Sequence, residues 1–182
     1  MSRMPEGSAF DDVLDANRAY AATFDSADLP AVAARGLAIV TCMDSRIEPL
    51  VMLGLSRGDA KILRNAGARV TDDVLRTLVL ATHLLGVNRV LVVPHTSCRM
   101  AETTEAQIYQ VIFERSGIDT RSLAFETERD QVAALHRDVR RIRSYPWLPS
   151  GLVVGGAIYD VATGELQPVD LGSSEDGPGV GP

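Results

Sequence analysis

An α/β fold, with a mainly parallel central β-sheet flanked by helices, is what this sequence predicts, and three observations predict it. Short, continuous apolar runs rich in strand formers recur along the chain. Helix-periodic segments separate them. The last run leads through a turn into a short C-terminal edge strand. Continuous rather than alternating runs suit strands buried on both faces, as in a parallel sheet, and strands alternating with helices are the pattern of that class.

The elements follow in order. An N-terminal helical arm is expected at about residues 8–24, where Phe10, Val13, Leu14 and Tyr20 recur at helical spacing. Gly36 to Thr41 reads as a strand ending at Cys42, and Ala60 to Leu63 as a second, stopping at Arg64-Asn65-Ala66-Gly67. Thr71 is a plausible N-cap, with Asp72 and Asp73 in the first turn of a helix that runs to about Leu85 and ends near Gly86. Arg89 to Val93 is the clearest strand and leads into Pro94-His95. Helices are expected from Arg99 to Arg115, stopped by Gly117, and from Thr127 to Arg143, ending before Pro146. Gly151 to Tyr159 is the next strand, and Asp160 to Gly164 turns it into Glu165–Val169. From Leu171 to Pro182 the chain is Gly, Ser, Pro and acids with nothing to bury, and disorder is expected there. A single domain over residues 1–170 is therefore expected.

Composition narrows the function. A chain of 182 residues, 46% hydrophobic and 23% charged, fits one globular domain with a real core. A net charge of −6 and the lack of a large Lys/Arg cluster argue against a nucleic-acid partner, which needs a basic face. The one basic run, Arg137 to Arg143, alternates with apolar residues and reads as the solvated side of a helix. No stretch approaches the roughly 20 apolar residues of a membrane span, and the first residues lack the apolar core of a secretory signal. A cytoplasmic location is the default, and two cysteines there serve as ligands or nucleophiles more often than as a disulfide.

In open parallel sheets, sites form beyond the carboxyl ends of the strands. Three predicted strands end at Cys42, at Arg64-Asn65-Ala66-Gly67 and at His95, so the reactive residue types gather at one rim. Cys42 with His95-Thr96-Ser97-Cys98 supplies two thiolates and one imidazole, a donor set that suits Zn2+ and leaves the fourth tetrahedral position open, as catalytic zinc requires. Types and spacing alone leave other readings open: two buried small cysteines with a turn histidine, or a Cys42–Cys98 disulfide. Asp44 and Arg46 weigh in favour of the metal. Two apart in an extended loop, their side chains point the same way, and a forked Arg–carboxylate pair would fix the carboxylate and keep it ionised. Alone, such a pair would be an ordinary surface ion pair of little energetic value.

Cys42-x-Asp44-x-Arg46, Arg64-Asn65-Ala66-Gly67 and His95-x-x-Cys98, in this order, resemble the three signature segments of the β-class carbonic anhydrases, and the likeness extends from about Leu37 to Asp160. The resemblance implies zinc on Cys42, His95 and Cys98, an Asp44–Arg46 dyad, and a homodimer or dimer of dimers. It implies reversible hydration of CO2 to bicarbonate by metal-bound hydroxide oriented by Asp44, with an inactive state in which Asp44 is the fourth zinc ligand. Two thiolates put more negative charge on the metal than three imidazoles would, so its water should be less acidic. No proton shuttle stands out: His83 and His136 both fall within predicted helices.

The resemblance leaves alternatives. Related enzymes hydrolyse carbonyl sulfide or carbon disulfide at the same kind of zinc site. Arg99 stands where family members usually carry Gly immediately after the second cysteine. A cation there would attract bicarbonate or alter substrate choice, would leave a catalytically impaired zinc-binding homologue that holds an anion or partner, or would point to solvent with little effect.

Overall fold

Residues 9–172 are described by a computed structural model, and the chain divides into two compact units, one ending at Pro30 and one beginning at Ala31. The first holds helix α1 (Asp11–Ala21), which carries Asp11 and Asp12 in its first turn, where the helix dipole favours them.

The second unit is built on a five-stranded sheet. Strands β1 (Leu37–Cys42), β2 (Ala60–Asn65), β3 (Arg89–Val93), β4 (Val153–Tyr159) and β5 (Leu166–Pro168) lie in the order β2-β1-β3-β4-β5. The first four are parallel, and β5 pairs antiparallel with β4 at the edge. This is the expected class. β1 lies inside the sheet and is buried over five of its six residues, which is why it reads as an unbroken apolar run.

Helices α3 (Asp72–Leu84) and α6 (Gln131–Arg143) share one core with the sheet. Leu75 and Leu78 of α3, and Leu135, Val139 and Ile142 of α6, pack with Ala38, Val40, Val90, Val92 and Val154. Thr71 caps α3, its hydroxyl accepting the Val74 N–H at 3.4 Å, and Gly86 leaves the helix at φ 72°. Close approach of α6 to β4 depends on Gly156, where an added Cβ would lie 2.8 Å from Leu135.

The sequence reading needs correction at several places. The helix expected from Arg99 to Arg115 is two: α4 (Arg99–Glu102) and α5 (Glu105–Ser116). Thr104 interrupts it with a capping box, its Oγ1 accepting the Gln107 N–H at 3.3 Å and its own N–H donating to Gln107 Oε1 at 2.9 Å. α6 begins at Gln131 rather than Thr127, because Asp130 caps it by accepting the Ala133 N–H at 2.9 Å. β2 runs through Arg64 and Asn65 before a short 3-10 turn at Ala66–Ala68, and a one-turn helix α2 (Pro49–Met52) had not been foreseen.

The basic run on α6 is not simply solvated. Arg143 donates to the carbonyls of Val154, Leu171 and Gly172 at 2.9, 3.0 and 3.0 Å, and Arg141 pairs with Asp72. Leu171, placed in the expected disordered tail, packs on the main core, while residues 173–182 lie outside the described residues. Among the described residues, no helix is long and apolar enough to cross a membrane.

Candidate metal centre

The parallel register carries the ends of β1, β2 and β3 to one rim. Cys42 closes β1, and the next N–H, of Met43, still pairs with the Asn65 carbonyl at 2.9 Å. β3 continues through Pro94 to His95, which bridges to Tyr159 at the end of β4. Ser97 then takes a left-handed φ of 53°, turning the chain so that Cys98 comes back beside His95 at the start of α4. A side chain is disfavoured in that conformation, and here it lies between two of the three metal-type side chains.

The result is a buried trio. Cys42 is 4% exposed, Cys98 3% and His95 0%, and their Sγ and ring nitrogen atoms all lie within 4.8 Å of one another. His95 Nδ1 lies 2.8 Å from the Thr96 carbonyl, which can only accept, so that nitrogen carries the proton. Nε2 is then left with a lone pair, fully buried and without a hydrogen-bond partner. A buried orphan acceptor is costly unless something fills its need. Donor atoms this close together can converge on one ion, since tetrahedral zinc bonds to sulfur and nitrogen would set donor–donor separations of about 3.4–3.8 Å. Donor set, burial and orphaned nitrogen all fit a zinc ion.

Electrostatics agree. The Cys42 thiol is pushed down to about 4, because Cys98 donates a hydrogen bond to its sulfur, outweighing burial, with help from the Gly67 and Asp44 N–H groups. Cys98, which holds the remaining proton in an apolar setting, is pushed up. Burial opposes protonation of His95, but the adjacent Cys42 sulfur outweighs it and raises its affinity for a proton.

Asp44 and Arg46 form the forked pair expected of them. Arg46 Nε and Nη2 donate to Asp44 Oδ1 and Oδ2 at 2.9 and 2.7 Å, and the Arg46 backbone N–H adds a third bond at 2.9 Å. These bonds hold the Asp44 carboxyl well below the usual carboxylate range, so it is ionised at neutral pH. Its Oδ2 lies 3.7 Å from His95 Nε2, at the edge of the trio. Arg46 Nη2 also reaches the Ser97 carbonyl at 3.1 Å, tying the β1 loop to the His95–Cys98 turn.

All five residues singled out from the sequence are therefore brought together, and Arg99, exposed, lines the same cleft. Sequence reasoning missed the supports. Arg64 donates to the Cys42 and Asp44 carbonyls at 2.9 and 2.7 Å, the Gly67 N–H points at Cys42 Sγ at 3.4 Å, and Gln131 holds the His95 carbonyl at 2.7 Å. The Arg64–Gly67 segment was visible as a motif without a role. Gln131, at the start of α6, left no signal. His83 Nε2 donates to the Trp147 carbonyl 3.0 Å away, and neither it nor His136 lines the cleft.

Known proteins are similar to this chain in sequence and fold. The family model for carbonic anhydrase matches residues 37–166. Beta-carbonic anhydrase 1 of Mycobacterium tuberculosis is 36% identical over 159 residues, covering 87% of this chain and 96% of the relative. Carbon disulfide hydrolase of Acidithiobacillus thiooxidans is 29% identical, covering 74% of this chain and 77% of its own length. Among solved structures, a carbonic anhydrase from Streptococcus mutans superposes with a TM-score of 0.84 at 38% identity, covering 93% of this chain and all of that one. Matched from β1 to the start of β5, a span that includes the rim carrying the trio, the chain belongs to the β-carbonic anhydrase family.

Proposed function

We propose that this protein is a zinc carbonic anhydrase, interconverting CO2 and water with bicarbonate and a proton. One observation carries the reading: a fully buried imidazole lone pair without a partner, within 4.8 Å of two buried cysteine sulfurs, beside an ionised carboxylate. Cys42 Sγ, His95 Nε2 and Cys98 Sγ would hold the zinc, and bound zinc would act as a Lewis acid that makes hydroxide accessible near neutral pH.

The chain's own residues supply the rest. Asp44, ionised and acceptor-only, can take a hydrogen bond from the attacking water at Oδ2 and so aim its lone pair at the CO2 carbon. Arg46 fixes that carboxylate through both oxygens. Engaged in this way, Asp44 is drawn toward Arg46 rather than toward the trio, which supports the open arrangement over one in which Asp44 is a fourth ligand. Arg64, gripping the carbonyls of Cys42 and Asp44, holds donor and acceptor in fixed relation.

A second reading, hydrolysis of carbon disulfide or carbonyl sulfide at the same site, draws support from the likeness to Carbon disulfide hydrolase. Assaying the zinc-loaded protein against CO2, carbonyl sulfide and carbon disulfide separates them. Turnover of CO2 from pH 7 to 9 is expected; a large preference for a sulfur substrate would reverse the assignment. Family membership also leads to a homodimer or dimer of dimers, which light scattering on the purified protein tests. Two unpaired cysteines buried at the site suit a reducing cytoplasm.

A further inference from the structure

We infer that Asp138 and Arg69, a buried ion pair outside the cleft, are positioning residues that set the hydrogen bond received by the Cys42 sulfur. The inference rests on reading Cys42 as a metal ligand. Asp138 sits on α6 and is 5% exposed. Arg69 grips it with a fork, Nε to Oδ2 at 2.8 Å and Nη2 to Oδ1 at 3.3 Å, while Nη1 donates to the Glu126 carbonyl at 2.8 Å. A buried pair of this kind is no better for stability than a well-packed apolar one, so its use lies in the direction it imposes.

That direction falls on the turn after β2. Asn65 brackets Arg69 from the other side: its Oδ1 accepts the Arg69 N–H at 2.9 Å and its Nδ2 donates to the Arg69 carbonyl at 2.7 Å. Residues 65 and 69 are thereby clamped together, and the three residues between them must close tightly. Gly67 and Ala68 both take left-handed φ values, 82° and 60°. Ala68 has a side chain that disfavours this conformation, so the turn needs restraint from outside, and Arg69, held by Asp138, supplies it. Met100 presses on the far side, since a Cβ on Gly67 would lie 3.2 Å from it. Held so, the Gly67 N–H meets Cys42 Sγ at 3.4 Å. A donor at a ligand sulfur fixes its direction and withdraws charge from it, which governs how tightly and in what geometry it holds a metal.

The test uses the full chain loaded with zinc, or with cobalt as a spectroscopic substitute. Asp138→Asn keeps the shape but weakens the grip on Arg69. Arg69→Lys keeps a cation opposite Asp138 without the fork, and serves if the first variant does not fold. Each should take up stoichiometric metal, shift the thiolate-to-cobalt charge-transfer band, and release zinc to a chelator roughly 3- to 10-fold faster, somewhat below the effect of losing a direct outer-shell partner. Asp138→Glu should recover part of the change. Arg143→Lys, on the same helix but tied to carbonyls remote from the trio, should lower the melting temperature without moving band or release rate. Band and release rate unchanged in both Asp138→Asn and Arg69→Lys would overturn the inference. An unmodified chain that shows no thiolate-to-cobalt band would instead overturn the ligand reading beneath it.

Discussion

The same parallel strands carry two regions built on different physics. Midway along them, Val40, Val92 and Val154 meet Leu78 and Leu135 in an apolar layer whose strength comes from excluded water and close packing. At their carboxyl ends, a few residues further on, a small apolar cluster around Ile47 and Ala68 is joined by a set of directional contacts. Arg64 forks onto two carbonyls, Arg46 onto a carboxylate, and Ser97 and Ala68 hold left-handed conformations. The core answers to volume, and the rim answers to the placement of single atoms. Substitutions should therefore separate: those in the core should change stability at constant chemistry, and those at the rim should change chemistry at nearly constant fold.

The largest effect joins the two regions. Cys42→Ser or Cys98→Ser should lose most of the zinc and much of the stability, because hydroxyls are poor zinc ligands and metal binding is coupled to folding. Elemental analysis with thermal melts checks this; full zinc content in either variant would contradict the assigned ligands. Next, Leu78→Ala in the fully buried core should cost about 2–5 kcal/mol in denaturant unfolding, while the folded, zinc-loaded protein keeps its CO2 hydration rate. A folded variant with a collapsed rate would show that the regions are not separable.

At the rim, Asp44→Ala should retain zinc and lose about 10²-fold or more in kcat/KM for CO2, the scale of a lost positioned proton acceptor. An unchanged rate would remove Asp44 from the mechanism. The smallest expected change is at exposed Arg99: Arg99→Gly should alter kcat/KM only a few-fold, as a solvated charge at the mouth of a cleft contributes about 1 kcal/mol or less. An inactive natural chain rescued by Arg99→Gly would instead establish the impaired, zinc-binding reading.

This division also explains what could be read from the sequence. β1, β3 and α3 were legible because burial on two faces, or on one helical stripe with a Thr71 cap, leaves a local pattern. The rim was legible because its reactive residues stand at strand ends. The split between α4 and α5 was missed although Thr104 and Gln107 form a recognisable capping box, since the apolar spacing runs through it. Arg143 and Leu171 look like surface and tail by residue type; their burial depends on partners 11 or more residues away that no local pattern records. In the site, donor types and the Asp44–Arg46 spacing were readable. The Gly67 N–H, the Gln131 contact and the Arg69–Asp138 pair exist only once the sheet and α6 have met.

The most direct test of the central claim is metal content and thiol state of the natural chain, purified under reducing conditions without added chelator. The account predicts stoichiometric zinc, with Cys42 and Cys98 shielded from thiol reagents until the metal is stripped. Metal-free protein that cannot be loaded with zinc, or a chain whose two cysteines are joined to each other, would contradict it.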